Sequence, residues 1–143
     1  MAELTILNGL GGGLVATIVM TVFMMGLGDD SPPPTALFWS KYVGDQEAEA
    51  YMMQGMVLHV LYGVIAGAVF VVAVPLLGIG ISSITTAILF GLAYGFVLFL
   101  GAAVFWMNVV LDLDPEVPMV AMFLFFHLVY GGVFGVWLQL GLL

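Results

Sequence analysis

A chain of 143 residues with 64% hydrophobic and 7% charged side chains cannot cover a water-soluble globule, because an average soluble domain carries about 25% charged residues and about 45–50% apolar ones. Its formal charge of −8, with Lys41 the one basic side chain, excludes a nucleic-acid partner and a polybasic patch for anionic headgroups. The absence of cysteine excludes disulfides, iron–sulfur ligation, thioether-linked haem and a cysteine nucleophile.

A mean hydropathy of +1.25 makes lipid the expected solvent. The chain reads as one all-α domain, an integral membrane four-helix bundle. Its first span is predicted from Ile6 to Leu27, long enough for the ~20 residues a bilayer core needs. Met1-Ala2-Glu3 has no positive n-region, so that span is expected to be retained rather than cleaved as a signal peptide. Thr17 and Thr21 put two hydroxyls on one face of it.

A polar break follows. Asp29-Asp30-Ser31-Pro32-Pro33-Pro34 is a non-helical exit, since successive prolines favour an extended segment. Thr35 is a candidate N-cap for a short helix from Ala36 to Val43. Its Leu37, Phe38, Trp39 and Tyr42 are the side chains of a membrane–water interface. The second span is predicted from Tyr51 to Leu77, with Gly78-Ile79-Gly80 as a tight turn that sets the next helix antiparallel. The third runs from Ile81 to Leu111, long enough to tilt or to emerge near Trp106 and Asn108. Asp112-Leu113-Asp114-Pro115-Glu116-Val117-Pro118 then leads into the fourth, Met119 to Leu142. The two acidic loops share one side, expected outside. Both termini share the other, expected cytoplasmic, in a multi-pass protein of the cell membrane. The carboxylates of Asp112, Asp114 and Glu116 read as a solvated rim, with weak Ca²⁺ or Mg²⁺ binding as the alternative.

The chemistry concentrates in one repeated motif. His59-Val60-Leu61-Tyr62-Gly63-Val64-Ile65-Ala66-Gly67 and His127-Leu128-Val129-Tyr130-Gly131-Gly132-Val133-Phe134-Gly135 share H-x-x-Y-G-x-x-x-G, 68 residues apart, and hold the only two histidines. This points to an internal repeat of two helical hairpins. An ionisable group in hydrocarbon is costly and generally functional. The second and fourth spans run in the same direction, and both imidazoles lie roughly 12–14 Å below the acidic surface at ~1.5 Å per residue. At one depth in a bundle they suit the two axial positions of a b-type haem, or a quinone between His59 and His127. Gly63, Gly67, Gly131 and Gly135 follow each histidine on the same stripe and would leave room for a flat macrocycle. Tyr62, Tyr130, Thr17 or Thr21 would meet its polar groups.

A second reading needs no cofactor. Small-x-x-x-small stripes are also the device by which helices pack closely in lipid, and each histidine would then only bond a neighbour such as Thr17 or Thr85. The chain would be a non-catalytic structural subunit, associating with other membrane subunits or with itself. Met52 and Met56 beside His59, and Met119 and Met122 before His127, add a third possibility, Cu(I) held by thioether and imidazole. No Ser-His-Asp arrangement and no paired intramembrane carboxylates occur, so an enzyme is not the expectation.

The paired histidines resemble those of the b-type cytochromes of respiratory membranes, whose haem is held by histidines on the second and fourth helices. Separately, Gly11-Gly12-Gly13-Leu14-Val15-Ala16-Thr17-Ile18-Val19-Met20-Thr21 and the segment from His127 to Gly135 are similar to small four-helix membrane proteins of haloarchaea that have no assigned function. The acidic, lysine-poor composition is similar to that of salt-adapted proteins.

Overall fold

The computed structural model describes Ala2 and residues 4–143. Glu3, whose carboxylate belongs to the charge reading, lies outside the described residues. Among them the chain is 79% helical and has no strand. The long elements are α1 (Ile6–Leu27), α3 (Met52–Leu76, preceded by a 3₁₀ turn Ala48–Tyr51), α4 (Ile84–Leu100, continued by a π-helical segment Gly101–Val110) and α5 (Val117–Leu140). The short α2 (Pro34–Tyr42) lies in the first loop. With their flanking turns, these make four helices of 22 to 29 residues, each long and apolar enough to cross a membrane. Leu7, Val22, Met53, Ile65 and Val109 are exposed on their outer faces, as lipid as solvent requires. The chain is a multi-pass membrane protein.

Local chemistry sets the boundaries. Thr5 caps α1 by accepting the Asn8 backbone N–H at 3.0 Å. Ser83 caps α4 in a reciprocal box with Thr86, satisfying donors that a helix start leaves orphaned. α5 starts with Pro118 in its first turn and ends on Gly141 in the left-handed region (φ 57°), a conformation glycine adopts without penalty.

Three sequence expectations need correction. The loop helix begins at Pro34, with Pro33 as N-cap and no side-chain cap. Proline is pre-set for the first turn, so Thr35 sits inside the helix rather than capping it. The turn after α3 is longer than Gly78-Ile79-Gly80, because the Ser83 box delays α4 to Ile84. The third span is not α-helical to Leu111. From Gly101 its bonds reach five residues back, as from Leu111 N–H to the Trp106 carbonyl at 2.9 Å.

Glycine seams hold the bundle. Lipid is as apolar as leucine, so helices associate through close packing rather than burial from water. On the α1–α3 seam, a Cβ on Gly9 would stand 2.7 Å from the Gly67 carbonyl oxygen, and one on Gly13 2.5 Å from that of Gly63. On the α4–α5 seam, Gly91 meets Gly131, Gly95 meets the His127 carbonyl and Gly135 meets Ala87. The two seams are in register. Thr5 and Ser83, Gly9 and Ala87, Gly13 and Gly91, and Thr17 and Gly95 are each 78 residues apart, opposite partners that are 68 apart. The difference is taken up by the first hairpin's connection, which carries α2.

α1 also packs closely on α5, whereas α3 and α4 are not among the closely packed pairs. Across that wider gap the Tyr94 hydroxyl donates to the Ala66 carbonyl at 2.8 Å, and the Phe70 and Tyr94 rings lie 5.0 Å apart. α2 rests on α3 with Ala36 buried against Gly55. Its far end is clasped to the π segment: Lys41 Nζ and the Tyr42 hydroxyl both donate to the Val110 carbonyl, at 3.0 and 2.6 Å. In the loop before α2, the hydroxyl and backbone N–H of Ser31 bond Asp29 and hold its carboxyl below the ordinary carboxylate range.

Candidate functional site

His59 stands about two turns into α3 and His127 nearly three turns into α5, at equivalent positions of the repeated motif. Both line a single cavity of about 210 Å³ at the acidic-loop end of the bundle. Other equivalent positions of the two hairpins line it too: Tyr62 with Tyr130, Met20 with Leu98, and Met24 with Ala102. Pro33, Thr35 and Phe38 of the α2 region roof it, and Trp106 of the π segment stands at its side.

The two imidazoles are held differently. His127 is 6% exposed, its ring edge-on to Phe123 and Phe99 with centroids 4.5 and 6.2 Å away. Its Nδ1 lies 2.8 Å from the Phe123 carbonyl oxygen. A carbonyl only accepts, so Nδ1 carries the proton, and in the neutral ring Nε2 offers a lone pair. His59 has no such anchor. Its Nε2 is buried without a hydrogen-bond partner, as is the Thr35 hydroxyl above it. Leaving a buried polar group unpaired costs about 1–3 kcal/mol. Both groups belong to residues that line the cavity, and each is left with an unmet hydrogen-bonding capacity beside it.

Several expected contributions fall elsewhere. Gly67, Gly131 and Gly135 do not clear room for a macrocycle, because the neighbouring helix occupies the space their missing side chains leave. Gly63 does line the cavity, but it is also pressed against Thr17. Neither Thr17 nor Thr85 bonds a histidine: Thr17 donates to its own helix at the Gly13 carbonyl, 2.7 Å away, and Thr85 is exposed. Thr21 likewise donates to the Thr17 carbonyl at 2.8 Å. The Tyr130 hydroxyl donates across the bundle to the Gly63 carbonyl at 2.7 Å. Tyr62 is among the lining residues, and its hydroxyl has Trp106 as polar neighbour. Met52, Met119 and Met122 are exposed, and the thioethers that do line the cavity are Met20 and Met24.

Sequence reasoning missed Met20, Met24, Thr35 and Trp106. A signal for the first two was present, since Gly13, Thr17, Met20 and Met24 form one helical stripe at i, i+4, i+7 and i+11. Thr35 was misplaced by reading it as a cap. Among the described residues, no group of three or more His, Cys, Asp or Glu side chains gathers to hold a metal ion.

The size of the cavity decides what fits. An apolar cavity of about 150 Å³ accepts a benzene ring, whereas pockets for drug-sized ligands run from about 300 Å³. A space of about 210 Å³ takes one substituted six-membered ring. The glycine stripes do not enlarge it towards the size of a tetrapyrrole, because neighbouring helices close them at Gly67, Gly131 and Gly135. Comparison of the chain with known protein families, with curated proteins and with solved structures finds no match.

Proposed function

We propose that this protein is an electron-transport subunit of the cell membrane that holds the ring of a quinone between His59 and His127. The observation that carries the reading is the convergence of both histidines on one ring-sized cavity where His59 Nε2 and the Thr35 hydroxyl lack partners. The chemistry suits both redox forms. Quinone carbonyls need donors, which the Thr35 hydroxyl supplies, as does His59 when its proton sits on Nε2. The hydroxyls of the reduced form need an acceptor, and His127 Nε2 offers one. Reduction takes two electrons and two protons, and in this reading a partner membrane subunit delivers the electrons. The acidic loops lie on one side and the termini on the other, and in this reading the carboxylates are outside.

A purely structural role draws less support, because the seam glycines of His59's and His127's motifs are consumed by helices of the same chain. The test is extraction of the purified protein followed by chromatography and mass spectrometry of the lipids. About one quinone per chain is expected, and His59→Ala should deplete it. Quinone at the level of protein-free membrane, or equal retention by the variant, would contradict the proposal.

A further inference from the structure

We infer that the ligand enters from the bilayer between α3 and α4 and leaves its apolar chain in that cleft, so that the site takes a membrane-resident ring with a hydrocarbon tail rather than a water-borne ring. This rests on reading the cavity as a quinone site. The other three faces between the spans are closed by helix packing. α1 packs on both α3 and α5, and α5 on α4. Towards the termini, the Phe70–Tyr94 and Tyr130–Phe134 ring pairs form a floor. Towards the acidic loops, α2 forms a roof, held by the Val110 clasp and by Phe38 against Trp106 with centroids 5.8 Å apart.

The α3–α4 face remains. Of the residues lining the cavity, only Tyr62 of α3 and Trp106 of the π segment are exposed, at 41% and 36%. They are neighbours across the gap and flank the opening as two posts. Both are amphipathic rings, an apolar body with a polar tip, which suits a passage between hydrocarbon and a polar site. The π-helical stretch sets Trp106 there, and such departures from α geometry are frequent at functional sites.

The experiment uses the full chain in lipid nanodiscs and a decyl-tailed benzoquinone with a photoreactive diazirine near the head of its tail. Unlabelled decyl benzoquinone is the competitor, and labelled residues are mapped by peptide mass spectrometry. Labelling of Tyr62, Trp106 and adjacent outward positions of α3 and α4, lost on competition, is the expected result. Competed labelling on the shallow apolar groove of Val19, Phe23 and Val133 between α1 and α5, or on the roof at Pro33, would overturn the lateral route while leaving quinone binding intact. No competed labelling anywhere would overturn quinone binding, and the route with it.

Discussion

At the scale of single residues, the glycines divide into those that carry the bundle and those that do not. A Cβ on Gly131 would run into the Gly91 backbone, whereas one on Gly26 would have nothing within 4 Å. Backbone cannot swing aside as a side-chain tip can. Gly131→Ala is therefore expected to force α4 and α5 apart and to cost about 1–3 kcal/mol, the usual range for overpacking. Gly26→Ala, near the end of α1, should be neutral or gain up to about 1 kcal/mol from helix propensity. Thermal melts of the two variants in one detergent check the contrast, and equal losses would remove the seams from the account. Thr35 offers a separate test. Its hydroxyl is buried and unpaired, so Thr35→Val should leave the fold as stable as before, or more so, while weakening quinone binding by about 0.5–1.5 kcal/mol, the net value of one hydrogen bond. A fold destabilised by the substitution, with binding unchanged, would make Thr35 structural.

At the scale of elements, the four spans were legible because twenty-odd apolar residues between polar loops have few alternatives in lipid. The H-x-x-Y-G-x-x-x-G repeat singled out α3 and α5, and in the structure His59 and His127 line one cavity. The kinship of α1 and α4 escaped the sequence because Gly, Ala and Thr substitute for one another along a packing stripe, and because their offset is 78 rather than 68. Their caps were the readable clue: Thr5 and Ser83 are each followed by small residues four, eight and twelve positions on. Those caps predict matched energetics. Thr5→Ala and Ser83→Ala should each cost about 0.5–2 kcal/mol, measured by denaturant titration in mixed micelles, and a loss at one site alone would break the equivalence. The π segment was not legible. Nothing in Gly101-Ala102-Ala103 separates a five-residue bond step from a four-residue one, and the clasp of Lys41 and Tyr42 on Val110 joins residues 68 and 69 apart in sequence.

At the scale of the whole molecule, two hairpins built on one plan enclose a cavity between them, and a histidine from each faces it. The halves are not identical in detail. One imidazole is anchored to its own helix and the other is unpartnered. One interface between the hairpins, α1 on α5, is closed, and the other, α3 with α4, is spanned by Tyr94. That asymmetry suits a site that must hold a ring and also admit it. Having only two histidines makes the claim directly measurable. Nitrogen-15 histidine labelling in nanodiscs should give four ring resonances, assigned with His59→Ala, and should report His127 with its proton on Nδ1. Titration with decyl benzoquinone should shift signals of both rings together, saturating at one ligand per chain. A spectrum in which only one ring responds, or neither, would contradict a shared site.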